Sequence, residues 1–161
     1  METVVRTKAE LDESVGRMLA LMDATPDDKL FWNPSPSARS IGEIAAHAAH
    51  ALENITNQMR GEPFPIPTSS DANRMFREHD RAFTDRQEVR RLLEEKRSAY
   101  DAFLDSLTPK DLDRTVPLPF GLGEWPLREF IGAGPMHTRC HNAQIEYIQT
   151  LYGDQDWHWG F

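Results

Sequence analysis

The chain has 161 residues, 39% hydrophobic and 27% charged, enough for a single domain over residues 1–161 with a real core. Its formal net charge of −8 argues against a nucleic-acid partner, whose phosphates need a clustered basic face, and its one cysteine, Cys140, excludes an intrachain disulfide or a multi-cysteine zinc site. No apolar run approaches the roughly 20 residues that cross a bilayer, and residues 1–6 lack the basic and apolar regions of a secretory signal, so a cytoplasmic protein without a membrane partner is expected.

A first helix is predicted over 2–24, where Val4, Leu11, Val15, Met18, Leu19 and Met22 recur at helical spacing and Thr25-Pro26 stops the pattern. The linker 29–39 carries Phe31 and Trp32 among prolines, which predicts a loop packed back onto the core. A second helix over 40–60 opens with Ser40 and Glu43 in capping-box spacing. Ile41, Ala45, Ala48, Leu52, Ile55 and Met59 then form a bundle seam, and the alanines give the helix a thin waist. His47 flanks that seam, whereas His50 falls nearly opposite, toward solvent or a loop. Glu43 and Asn54 also lie away from the seam and read as surface residues.

Residues 61–82 form a proline-rich crossover holding a short helix near 71–82, long for a connection between neighbouring antiparallel helices. Thr84 and Gln87 read as a second capping box, opening a third helix over 84–107 with Val89, Leu93, Tyr100, Phe103 and Leu107 inward. Lys96 falls in the same stripe, either snorkelling at the rim or facing a polar pocket. Thr108-Pro109 starts a short turn, and 116–125 form a loop or small hairpin. A fourth helix is predicted over 127–152, kinked or broken just before His137 by Gly132, Gly134 and Pro135. Trp157, Trp159 and Phe161 make the tail aromatic, which predicts packing on the bundle end or on a second subunit.

The chemistry concentrates in Met136–Ile145. With His137 taken as the origin of a helical wheel, His141, Gln144, Ile148 and Leu151 all fall close to the same line, within less than half a quadrant on either side. Two imidazoles thus occupy the inward line, where each needs a hydrogen-bond partner or a metal. A His-x3-His pair on one helix can chelate a metal through one face, although the adjacent Glu of a zincin motif is absent. A third donor is required, and His47 is better placed than His50, His79 or His158. Cys140 reads as a packed residue rather than a ligand or nucleophile.

Two segments carry a family resemblance: Trp32-Asn33-Pro34-Ser35-Pro36 with Ser40-Ile41-Gly42-Glu43-Ile44-Ala45-Ala46-His47, and His137-x3-His141-Asn142-Ala143-Gln144-Ile145. Together they resemble the opening and closing motifs of the DinB-like family, which includes the YfiT-type proteins. Ala143 stands where the pattern usually has glycine. The resemblance spans nearly the whole chain. It implies an all-α four-helix bundle, often in up-down-down-up order, that binds a divalent metal, commonly zinc or nickel, on His47, His137 and His141. It also implies frequent dimerisation and, for some relatives, S-transfer or isomerisation with a low-molecular-weight thiol. Three functions follow as expectations: a thiol-dependent transferase, a metal-dependent hydrolase, or a non-catalytic metal-binding or small-molecule-binding bundle.

Overall fold

The computed structural model describes residues 1–158. The chain forms a four-helix bundle from α1 (Glu2–Ala24), α3 (Ile41–Arg60), α5 (Arg86–Ser106) and α7 (Ala133–Leu151). Short helices α2 (Asp27–Leu30), α4 (Ser69–Asp80) and α6 (Leu127–Phe130) lie in the connections. α1 and α3 each pack against both α5 and α7, so α1 faces α3 across the diagonal. The core is the apolar stripe of each long helix: Leu11, Val15, Met18 and Met22 from α1, Ile41, Ala45 and Leu52 from α3, Val89, Leu93 and Tyr100 from α5, Ile145 and Ile148 from α7. Among the described residues no helix is long and apolar enough to cross a membrane.

α3 is held at both ends by local chemistry. Glu43 N donates to Ser40 Oγ at 3.2 Å, and Ser40 N donates to Glu43 Oε2 at 3.0 Å, which completes the capping box. Gly61 closes the helix at φ 93°, a left-handed position that glycine adopts without a Cβ penalty. Glu43 is thereby buried rather than on the surface, and it also accepts from Asn33 Nδ2 at 2.9 Å. In the middle of α3, Ala45, Ala46, Ala48 and Ala49 are fully buried, and their small side chains let α5 and α7 come close.

The predicted break before His137 divides the fourth helix at Ile131–Gly132, into α6 and α7. Pro135 sits in the first turn of α7, where a missing N–H leaves no intrahelical bond unmade. Tyr100 of α5 ties the break down: its hydroxyl donates to Ile131 O at 2.8 Å and accepts from Gly134 N at 3.2 Å. α7 comes so near that a Cβ on Gly134 would stand 2.7 Å from Tyr100 Cε2 and 2.9 Å from Leu52 Cδ2.

Some expectations need correction, and the open alternatives at Lys96 and in 116–125 resolve to the rim and the hairpin. Asp85, not Thr84, caps α5, since Asp85 accepts from Glu88 N at 2.9 Å. Leu151 is exposed because α7 ends there. The linker after α1 holds the unforeseen turn α2, and its Phe31 ring lies so close over Gly42 that a Cβ there would fall 2.3 Å from Phe31 Cε1. Lys96 reaches outward to Glu53 at 2.8 Å and Glu95 at 3.0 Å, a rim ion pair rather than a pocket cation. Residues 115–126 form a hairpin, with β1 (Thr115–Pro117) antiparallel to β2 (Glu124–Pro126). Of the aromatic tail, Trp159 and Phe161 lie outside the described residues; Trp157 is exposed, and its carbonyl accepts from Arg17.

Candidate metal centre

α3 and α7 cross where the alanine waist of α3 meets the first turns of α7, and that approach brings His47 against His137 and His141. Their ligand atoms all lie within 4.8 Å of one another, a group that could hold a metal ion. His137 Nε2 and His141 Nε2 are 2.9 Å apart, and the His47 ring is centred 5.4 Å and 5.0 Å from the other two. A tetrahedral ion about 2.0–2.1 Å from each nitrogen sets neighbouring donors about 3.3 Å apart, so small rotations suffice to accommodate one. Burial, then the neighbouring histidines and Arg39, pushes His137 down to about 3. Burial likewise pushes His141 down to about 4 against the Gln144 hydrogen bond. Both rings are neutral at neutral pH and keep a lone pair for a cation.

Two side chains orient these rings. Gln144 Oε1 lies 2.8 Å from His141 Nδ1. An amide oxygen can only accept, so Nδ1 carries the proton and Nε2 is free to ligate. His47 Nδ1 lies 3.4 Å from Asp80 Oδ2, a loose approach in which the buried nitrogen makes no formed hydrogen bond. With Nδ1 turned to Asp80, His47 has Nε2 to offer.

Asp80 itself is fully buried at the end of α4. It accepts from Arg39 Nε at 3.1 Å and pairs with His50 Nδ1 at 3.2 Å. Burial pushes its carboxyl up, but the close approach of His47, the bond with His50 and the Arg39 charge outweigh that and hold it below the usual carboxylate range. Residue-by-residue reading missed Asp80 and Arg39. One signal was available: an aspartate in the last turn of a short helix opposes the helix dipole and needs another reason to be there.

His50 therefore faces the crossover helix, one of its two foreseen surroundings. His79 stacks edge-on to His50 at 6.1 Å, outside the three-histidine group, and His158 pairs with Asp154 at 2.8 Å. Cys140 is exposed, contrary to its reading as a packed residue, because one residue before His141 means about 100° around the helix from it.

The group opens on a cavity of about 330 Å³ lined by His47, His137, Asn54, Gln58, Phe64 and Phe120, among others. Asn54, read from sequence as a surface residue, thus belongs to the pocket wall. Among the described residues no carboxylate lines this cavity. A larger hollow of about 680 Å³ lies beside Arg17 and Trp157, away from the histidines, and the converging donors mark the smaller one as the chemical site. Phe120, at the hairpin tip, is held at φ 60°, a left-handed conformation that costs a residue with a Cβ about 1–2 kcal/mol.

The DinB superfamily model matches residues 10–145. Among solved structures, the chain is similar to YfiT from Bacillus subtilis, a probable metal-dependent hydrolase with an unusual four-helix bundle topology. The TM-score is 0.76 at 18% identity, over 95% of this chain and 89% of that one. It is also similar to the mycothiol-dependent maleylpyruvate isomerase, with a TM-score of 0.73 at 13% identity, over 88% of this chain and 60% of that one. At these identities the likeness establishes the fold. No curated protein matches the chain in sequence.

Proposed function

Because the chain belongs to the DinB superfamily, we propose that it is a metal-dependent enzyme that adds a small thiol to an electrophilic substrate in the cytoplasm. The observation that carries this reading is three converging imidazoles beside an open cavity without a carboxylate. Three neutral nitrogens suit zinc or nickel and leave coordination positions open. An ion held there would act as a Lewis acid, so that a thiol bound to it would be present as the nucleophilic thiolate at neutral pH.

The chain's own residues supply orientation and enclosure. Gln144 fixes the tautomer of His141, and Asp80 aligns His47 while Arg39 keeps its carboxylate charged. Asn54 presents its amide group to a bound substrate, while Gln58, whose Nε2 donates to Pro117 O at 3.3 Å, belongs to the cavity wall. Cys140 does not line the cavity and is not assigned a role as nucleophile.

Hydrolysis by a metal-activated water would use the same triad, and YfiT is called a probable metal-dependent hydrolase. Hydrolysis is the second reading, since the cavity offers no carboxylate to take a proton from water while Asp80 is already engaged by Arg39 and His50. A non-catalytic metal-binding bundle is the third, and the open cavity beside the donors weighs against it. The test has two parts. Metal content is measured on untagged protein, and the metal-loaded protein is assayed with small thiols and a haloarene against its His141→Ala variant. The reading predicts about one metal per chain and conjugation well above the variant. Absence of metal after reconstitution, or equal rates in both proteins, overturns it.

A further inference from the structure

The cavity beside the histidines has a chemical character of its own. Its aromatic side chains form a continuous arc that starts at a candidate metal ligand. His47 meets Phe76 edge-to-face at 5.6 Å, Phe76 meets Phe64 at 6.2 Å, and Phe64 meets Phe120 at 5.3 Å. These rings come from three separate segments: α4, the loop after α3, and the hairpin tip between β1 and β2. No stretch of local structure requires them to meet.

Phe120 is the telling member. It occupies a left-handed conformation at φ 60°, beside two glycines, Gly121 and Gly123, that hold positive φ without cost. A turn of this shape is easier with glycine or asparagine at that place. The residue remains 39% exposed, so it does not belong to the core. A strained backbone that presents an apolar side chain to the mouth of a cavity is the pattern of a ligand-contacting residue.

The cavity's charge narrows the ligand further. Apart from the histidines, Arg39 is its one charged lining residue among those described, and Arg39 is committed through Nε to buried Asp80. Asn54, Gln58 and Asn73 are neutral amides. A volume of about 330 Å³ is at the small end of ligand sites, room for one or two rings.

Building on the metal-dependent reading above, we propose that the site takes an uncharged, planar aromatic group, seated in the Phe64–Phe76–Phe120 arc while the reactive end of the same molecule reaches the metal at His47, His137 and His141. Phe120 determines that specificity by closing the outer end of the slot.

The experiment uses the full chain loaded with cobalt(II), whose visible absorption reports ligation directly and needs no turnover. Benzohydroxamate and acetohydroxamate share one metal-chelating head and differ by a phenyl ring in place of a methyl group. Each is titrated against the cobalt band. The slot predicts that benzohydroxamate binds about tenfold or more tightly than acetohydroxamate. In Phe120→Ala that preference falls to about threefold or less, and Phe120→Trp restores it. Phe120→Ala lies in an exposed hairpin tip, and an unchanged cobalt spectrum shows that the site is intact. Equal affinity of the two hydroxamates in the native protein overturns the aromatic slot and leaves the metal site standing. A preference untouched by Phe120→Ala overturns the role of Phe120. If cobalt gives no ligand-field band, the metal-dependent reading fails, and this inference fails with it.

Discussion

Asp80→Ala tests whether the crossover helix is part of the site or only a strap over it. The carboxylate is fully buried and receives Arg39 Nε at 3.1 Å and His50 Nδ1 at 3.2 Å, with His47 Nδ1 at 3.4 Å. Removing one member of a buried pair costs about 3–5 kcal/mol because the other charge is left uncompensated. The Arg39 side chain retains 19% exposure, so water partly replaces the lost partner and the lower end, about 3 kcal/mol, is expected. The same change frees the His47 ring, and losing a residue that orients a metal ligand lowers metal affinity about 10–100-fold. Asp80→Asn should be milder on both counts, at about 1–2 kcal/mol. With its amide oxygen at the Oδ2 position it still accepts from Arg39 and faces His47. Urea unfolding of chelator-treated protein reads the first effect, and competition against a zinc chelator reads the second. If Asp80→Ala loses stability but keeps zinc affinity within about twofold, Asp80 merely fastens α4 to α3 and its place in the site is refuted.

Metal-free protein should lose stability as pH falls from 7 to 5. His137 and His141 are depressed in the fold to about 3 and about 4. The unfolded chain therefore takes up protons below its ordinary value of about 6.5 while the native rings stay neutral, a loss of up to about 4 kcal/mol by pH 5. A urea midpoint that does not move over that range in the chelator-treated protein contradicts the burial of these rings. Gly134→Ala should destabilise by about 1–3 kcal/mol, since its Cβ would press on the Tyr100 ring and Leu52. A thermal midpoint equal to native would show that α5 and α7 are not so closely packed. For the oligomer we propose a homodimer through the exposed Tyr147, Leu151 and Trp157. Light scattering should give twice the monomer mass for the full chain and a monomer after truncation beyond Asp154; a monomer in both removes the idea.

The one-dimensional pattern was sufficient for the four long helices, because each stripe repeats within a few turns. Ser40 with Glu43, Gly61, and the Gly132–Pro135 run act over a handful of residues, and all three act where their spacing places them. His137 and His141 were legible as a pair for the same reason, since i and i+4 on one helix share a face without help from any other segment. His47 was legible only as a residue flanking a seam; its partnership came from the family motif, and its distance to the pair is set by how closely the alanine waist of α3 admits α7. The meeting of Asp80 and Arg39 with His47, and the phenylalanine arc, were beyond reach for a physical reason. Asp80 stands on a different helix from His47, Phe120 on a different connection from Phe64, and nothing periodic links either pair. What unites them is the path of the crossover and the hairpin over the bundle, where Ala72 and Asp80 of α4 and Val116 of the hairpin are buried. Local spacing determined which faces turn inward, and only long-range packing decided which side chains meet there.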